Sequence, residues 1–208
     1  MKNNRPHLRP RYRSYMQRSV DELPARQRFL IVCEGEKTEP LYFQGFRNPG
    51  LVVNVEGRGL NTLGLVQEAI KLLSPDKYDQ TWCVFDKDDF PDKNFNQAIS
   101  LALKNGIKVA YSNQSFELWY VLHFIYMQNA ITRNDYMRIL DEKLPHKYEK
   151  NSTTIYKELL DKQMTAILNA TRLLDLYQPS RPAKDDPSTT VHKLVEELIK
   201  YSRPFKSR

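Results

Sequence analysis

Two short acidic clusters have the residue types and spacing to do chemistry. Glu34 directly follows the apolar run 29–33, and Asp86 and Asp88 follow the apolar run 82–85. Carboxylates that crowd together repel one another unless a cation neutralises them, and hard oxygen ligands of this kind suit Mg²⁺ or Mn²⁺. Alternate residues of an extended segment point the same way, so Asp86 and Asp88 can both reach one ion. The sequence therefore predicts a divalent-metal site formed by Glu34, Asp86 and Asp88.

Nearby charged residues each have a functional and a structural explanation. Asp89 should point away from the ion, and Glu117 suits the dipole of a predicted helix in whose first turn it lies, but both are candidates for a further metal ligand. The dipole explanation is preferred for Glu36 and Glu39. Lys37 can hold a phosphate of a nucleic acid or balance the charge of its acidic neighbours.

The net charge of +7 is concentrated at the two ends of the chain. Residues 1–18 contain six Lys and Arg residues and no acidic residue, and the rest of the chain outside the basic C-terminus is mildly acidic. Cations neutralise phosphates, and interleaved tyrosine rings can stack on bases, so the segment 1–18 suits a nucleic acid. The candidate contacts are Arg5, Arg9, Arg11, Arg13 and Arg18. The alternative is a solubilising tail.

Composition and cysteine usage limit the class of protein. At 208 residues with 40% hydrophobic and 27% charged residues, the chain should form one substantial core. No apolar stretch is long enough to span a bilayer, so we expect no membrane association and a cytoplasmic location. Cys33 and Cys83 lie in predicted core strands and should be buried thiols, not a disulfide or a zinc site. His123 and His192 are expected to be packed or surface residues.

Strands and helices must alternate to position the acids. The predicted strands are 28–34, 51–55, 82–85 and 107–111, and the predicted helices between them are 40–46, 63–73 and 93–104. This alternation indicates an α/β fold with a four-stranded, mainly parallel sheet between helices. In such sheets functional groups collect at the carboxyl ends of the strands, where both acidic clusters fall.

The second half of the sequence is predicted to be helical. Apolar residues fill 116–127, shorter and longer amphipathic segments occupy 134–142 and 153–177, and a final helix should be capped by Asp186 with Pro187 in its first turn. The predicted organisation is a basic arm and connector (1–27), an α/β core (28–128) and a helical extension packed on the same domain (129–208).

The order of the motifs resembles the Toprim fold of topoisomerases, bacterial primases and OLD-type nucleases. Glu34-Gly35 ends the first strand, Gly59 and Asn61 form a glycine-rich turn before a helix, and Asp86-Lys87-Asp88 ends the third strand. The resemblance sharpens to the RloB-like family at 31–39, 112–119 and 187–195, and it covers most of the chain from about residue 28 to residue 200.

The resemblance implies a Mg²⁺- or Mn²⁺-dependent nuclease in a phage-defence or restriction-linked system, often with an AAA- or ABC-type ATPase as partner. Glu34 would be a ligand or a general acid and base, while Asp86 and Asp88 would hold the metal. Two alternatives stay open, a non-catalytic regulatory or scaffold subunit of the ATPase and a nucleotide phosphotransfer enzyme. The choice between DNA and RNA, the number of metal ions and the oligomeric state are also left open.

Overall fold

The computed structural model describes residues 26–46, 51–74, 76–88 and 91–202. The predictions for the basic segment 1–18 and for Asp89 therefore lie outside the described residues. No helix in these ranges is long and apolar enough to cross a membrane.

The described residues form an α/β fold around a five-stranded sheet, which confirms the predicted class. Its strands are β1 (Gln27–Cys33), β2 (Leu51–Gly57), β3 (Gln80–Asp86), β4 (Lys108–Asn113) and β5 (Ser188–Thr189), in the order β2-β1-β3-β4-β5. The pairs β1–β2, β1–β3 and β3–β4 are parallel, and the short β5 runs antiparallel to β4. The sheet thus has the four predicted strands and a fifth that the sequence did not indicate.

Eight helices connect the strands of the described part. They are α1 (Thr38–Gln44), α2 (Thr62–Leu72), α3 (Asp92–Lys104), α4 (Glu117–Val121), α5 (Arg133–Lys143), α6 (Ile155–Leu159), α7 (Gln163–Asp175) and α8 (Val191–Ser202). Asn61 caps α2 as predicted, since its side chain accepts a hydrogen bond from the Gly64 amide at 2.8 Å. Gly106 follows α3 with φ 73°, a conformation that glycine adopts at low cost.

The two faces of the sheet pack into separate hydrophobic clusters. Phe29 and Ile31 of β1 point to one face, and Leu30 and Val32 point to the other, with none of the four exposed. Helices α2 and α3 cover the Leu30 face, while α1 and the helices from α4 onward cover the Phe29 face. Burial on both faces explains why the strand reads as a continuous apolar run. Cys33 and Cys83 are buried free thiols on opposite faces, as predicted.

The C-terminal half departs from the sequence prediction in three places. The apolar segment 116–127 is helical only in α4, and the segment 153–177 is divided into α6, a 3₁₀ turn (Leu160–Lys162) and α7. The final helix does not begin at Pro187. It begins at Val191, because Ser188–Thr189 pairs with the edge of β4 as β5.

Side-chain hydroxyls fix this pairing. Thr190 Oγ1 accepts a hydrogen bond from the Tyr111 amide at 2.9 Å, and the Thr190 amide donates to the Tyr111 carbonyl at 2.8 Å. These bonds satisfy backbone groups that would otherwise be unpaired at the edge of β4. Tertiary pairing therefore overrides the local capping signal of Asp186 and Pro187.

Candidate functional site

The adjacent strands β1 and β3 bring the two acidic clusters together. The Glu34 amide donates to the Val84 carbonyl at 2.9 Å, which extends the parallel pairing one residue past β1. The Asp86 amide in turn donates to Glu34 Oε2 at 3.2 Å. The carboxylate of Glu34 is thus hydrogen-bonded to the backbone of the second cluster, at the carboxyl edge of the sheet, where the sequence predicted it.

A cavity of about 320 Å³ opens at this edge, and its charged lining is mostly acidic. The carboxylates that line it are Glu34, Glu39, Asp86, Asp88 and Glu117, and the cations are Arg133 and Lys150. All three residues of the predicted site are among them. Lys37 is exposed and is not part of this lining, so no contact places it in the site.

Glu34 lines the cavity, and its carboxyl group resists ionisation. Removal from water is the largest influence and raises its pKa from 4.5 to about 7. The hydrogen bonds from the Asp86 amide and from the Thr62 hydroxyl, at 3.3 Å, act in the opposite direction, as does the charge of Arg133. A carboxyl group with this pKa can exchange a proton near neutral pH.

Asp86 is surrounded by the other acids. Burial raises its pKa well above the ordinary value of 3.8, and the charges of Glu39, Glu117 and Glu34 raise it further. The amide of Phe116 donates to Asp86 Oδ2 at 3.1 Å and partly offsets this effect. Asp86 therefore resists ionisation in the absence of a nearby cation.

Glu39 and Glu117 join the site from helices that follow β1 and β4. Both occupy the first turn of their helices, as the dipole explanation requires, yet both are buried, with 6% and 3% of their surface exposed. Burial raises the pKa of Glu39, and the charge of Glu117 adds to this. Glu117 accepts a hydrogen bond from the Tyr148 hydroxyl at 3.3 Å and lies 3.7 Å from Lys150 Nζ. The sequence signal for both residues is an acid in the first turn of a helix that begins a few residues after the end of a strand.

Asp88 and Arg133 both line the cavity and form an ion pair with each other. Asp88 has φ 43°, a conformation that residues other than glycine adopt less often, so the backbone turns sharply directly after Asp86. Arg133 is the first residue of α5, and nothing in the sequence marked it as part of the site. Lys87, between the two aspartates, is buried and pairs with Asp92 at 3.3 Å.

The glycine-rich turn after β2 forms another wall. The Gly59 amide donates to the Glu34 carbonyl at 2.9 Å, and Gly59 has φ 60°. At Gly57 a Cβ atom would lie 2.7 Å from the Gly35 carbonyl oxygen and 2.8 Å from the Cα atom of Glu36. The turn needs glycine at position 57 because the ends of β1 and β2 approach closely here.

The donor set has the chemistry that a hard divalent cation requires, namely several buried carboxylates whose pKa values are raised by burial and, secondly, by mutual repulsion. Its arrangement is not preformed, since no group of three His, Cys, Asp or Glu side chains among the described residues is placed to hold a metal ion. Asp86 is bonded to the Phe116 amide and Asp88 to Arg133. A cation would have to compete with these partners.

Comparison with known proteins gives one family. The model of the family described as RloB-like protein matches residues 29–198, a range that includes every described residue of the cavity lining. No curated protein and no solved structure gives a significant match.

Proposed function

We propose, from the premise that this chain belongs to the RloB-like family, that it is a Mg²⁺- or Mn²⁺-dependent nuclease that hydrolyses phosphodiester bonds in DNA or RNA. We also propose that the protein acts in a phage-defence or restriction-linked system with an AAA- or ABC-type ATPase as partner, and that its fold is related to the Toprim fold. The position of Glu34-Gly35 and Asp86-Lys87-Asp88 at the ends of adjacent parallel strands supports that kinship.

The observation that carries the proposal is the convergence of five carboxylates on one cavity of about 320 Å³. Among the described residues, five carboxylates share this cavity with only two cations, Arg133 and Lys150, and an acidic cluster of this kind with raised pKa values is typical of a functional site. A divalent cation is the ligand class that suits this cluster best, because its charge opposes both causes of the raised pKa of Asp86 and Glu39, which are burial first and then repulsion by neighbouring acids.

Asp86 and Asp88 would hold the metal, and Glu39 and Glu117, which line the same cavity, are candidates for further ligands once the side chains rearrange. When bound, the ion would supply positive charge that polarises a phosphate and favours formation of the attacking hydroxide. Glu34, whose pKa is raised to about 7, is suited to accept a proton from water and to return one to a leaving oxygen. Its hydrogen bonds to Thr62 and to the Asp86 amide hold the carboxyl group in a fixed orientation.

The test is to incubate the purified chain with DNA, tRNA and total RNA in Mg²⁺ or Mn²⁺. The incubation is done with and without any ATPase that is encoded next to this protein. We expect cleavage that EDTA stops and that Asp86→Asn abolishes while thermal stability holds or rises, since loss of one carboxylate relieves repulsion in the metal-free protein. Asp92→Asn is a matched control, because Asp92 follows the same strand but pairs with Lys87 and does not line the cavity. Loss of stability and activity together in Asp86→Asn would make Asp86 a structural residue.

A second candidate is a non-catalytic subunit that binds the ATPase. Leu160, Met164 and Leu168 are spaced four residues apart along the 3₁₀ turn and α7, and 52%, 68% and 59% of their surfaces are exposed. A stripe of this kind suits a protein interface. If Asp86→Asn retains biological protection while Leu168→Glu loses it, the scaffold function is correct and the nuclease proposal is wrong.

A further inference from the structure

The Asp88–Arg133 ion pair stands between two cavities. On one side is the acidic cavity of about 320 Å³, which both residues line. On the other side is a second cavity of about 350 Å³, which both residues also line, together with the polar residues Gln114, Thr132 and Asn134. A molecule that reaches from one cavity to the other must therefore pass this pair.

The backbone at Arg133 is fixed, whereas its side chain is not. Thr132 and Asp135 form a capping box at the start of α5, with the Thr132 amide bonded to Asp135 Oδ2 at 2.9 Å. Tyr136 and Leu140 anchor the same helix in the core, both with no exposed surface. By contrast, 39% of the Arg133 side chain is exposed. Rotation of the guanidinium group therefore needs no movement of the helix.

We propose that Arg133 binds a phosphate group of the nucleic-acid backbone at the boundary of the two cavities. Asp88 pairs with this guanidinium group and competes with the phosphate until a divalent cation binds the Asp88 carboxylate. This inference rests on the proposed function, because it gives the substrate class of the same site. Arg133 is then a substrate-binding residue, and Asp88 controls its availability.

The chemistry of the pair favours this exchange. A guanidinium group binds a carboxylate or a phosphate through the same fork of N–H donors, so a phosphate can replace Asp88 without any other donor being supplied. Gln114 and Asn134 add amide donors on the side of the second cavity. A cation that attracts the carboxylate of Asp88 weakens its hold on Arg133, and metal binding should therefore increase the affinity for phosphate.

The polarity of the two cavities decides where the phosphate lies. The first cavity holds Glu34, Asp86 and three further carboxylates, which repel a phosphate that no metal ion bridges. The lining of the second cavity contains one acid, Asp88, which Arg133 already neutralises. In the metal-free protein, phosphate binding at Arg133 is thus limited mainly by competition with Asp88.

The test measures binding without cleavage. A fluorescent single-stranded oligonucleotide is titrated by anisotropy in EDTA, over a series of salt concentrations, with wild type, Asp88→Asn, Arg133→Ala and the double variant. Asp88→Asn should bind about five- to tenfold more tightly than wild type, and this gain should fall below twofold in the Arg133→Ala background. Arg133→Ala should also lower the slope of log affinity against log salt by about 0.7, the value for one phosphate contact to a single strand.

Arg138→Ala is the matched control. Arg138 lies on the same helix and pairs with Asp135, but 77% of its side chain is exposed and it lines neither cavity. Its loss should leave the salt slope unchanged. Arg133→Gln, which keeps the length and polarity of the side chain, is measured beside Arg133→Ala, and it should show the same loss of slope because it carries no charge.

Two outcomes overturn the inference. Either Asp88→Asn tightens binding equally with and without Arg133, which makes the gain a general charge effect, or both Arg133 variants keep the wild-type slope. The nuclease proposal fails separately, if no metal and substrate combination gives cleavage. Loss of slope in both Arg133 variants without any cleavage would support phosphate binding at Arg133 while removing the nuclease proposal, because binding is measured in EDTA.

Discussion

Replacement of Glu34 by glutamine should change the pH dependence of stability in the metal-free protein. The folded protein raises the pKa of Glu34 from 4.5 to about 7, so between these values the folded state holds a proton that the unfolded chain has released. When the folded state binds more protons, stability falls as pH rises. The wild-type protein should therefore lose stability from about pH 5 to about pH 7 through this group, and lose no more above that range.

The magnitude follows from the pKa difference. A rise from 4.5 to about 7 corresponds to roughly 3 kcal/mol, and solvent screening at this partly exposed group reduces the expected effect to roughly 2 kcal/mol. Glutamine resembles the protonated carboxyl group in shape and charge, so Glu34→Gln should match wild type near pH 5. At pH 8 the variant should be more stable by about 2 kcal/mol, which is about 4–8 °C in Tm for a chain of this size.

The assay is thermal and urea denaturation in EDTA from pH 5 to pH 8, with Glu142→Gln as the control because Glu142 is exposed on α5 and outside the cavity. Addition of Mg²⁺ at pH 8 should then stabilise the wild type more than Glu34→Gln, since a bound cation relieves the repulsion that the variant has already reduced. Parallel curves for Glu34→Gln and wild type, or a variant that is relatively weaker at pH 8, would refute the reasoning.

Three further outcomes are expected. Gly57→Ala should lower the free energy of unfolding, measured by urea denaturation, by about 2–3 kcal/mol, because the new Cβ atom meets backbone atoms of Gly35 and Glu36. Gly106→Ala is the comparison, and it should lower this free energy by about 1 kcal/mol, since Gly106 has φ 73° but a Cβ atom there meets nothing within 4 Å. Equal losses in the two variants would contradict this account. Glu117→Gln should weaken Mn²⁺ binding about tenfold by calorimetry, whereas an unchanged affinity would exclude Glu117 from the metal site. Deletion of residues 1–18, which lie outside the described structure, should lower the slope of log affinity for nucleic acid against log salt by a few units. Turnover at saturating substrate should stay unchanged. An unaltered slope would make the segment a solubilising tail or a contact for a protein partner.

The parallel core of the fold could be predicted because its signals are local. The runs 29–33 and 82–85 are short, apolar at every position and rich in aromatic and β-branched residues, which is typical of a strand buried on both faces. The strand β5 could not be predicted, because two residues carry no periodicity and Asp186-Pro187 gives a stronger, helical signal nearby. The pairing depends on the β4 edge, 77 residues away along the chain from Thr189 to Ser112.

The same distinction applies to the candidate site. Glu34 and Asp86 directly end adjacent strands, so strand order alone brings them together. Glu39 and Glu117 begin helices, and the direction of their side chains depends on the angle at which each helix leaves the sheet. Arg133 comes from a helix that no strand positions, and only the packing of α5 places it at the cavity. The position of Arg133 in the site depends on tertiary packing, and no local sequence pattern predicts it.

The side chains that line the cavity come from two layers of the fold, the sheet and the helices that cover it, and we expect these layers to differ in amide hydrogen exchange. Glu34 and Asp86 end β1 and β3, which have strand neighbours on both sides, and amides in such central strands exchange slowest. Arg133 begins α5 and Lys150 lies in the connection between α5 and α6, next to the five-residue helices α4 and α6. Transient opening of that layer would move Arg133 and Lys150 away from the cavity, together with Glu117 of α4, and would leave Glu34 and Asp86 in place. If the proposed function is correct, Glu34 and Asp86 would stay in position for a metal ion while the contact between Arg133 and a phosphate is broken, which is a route for releasing product without unfolding the sheet.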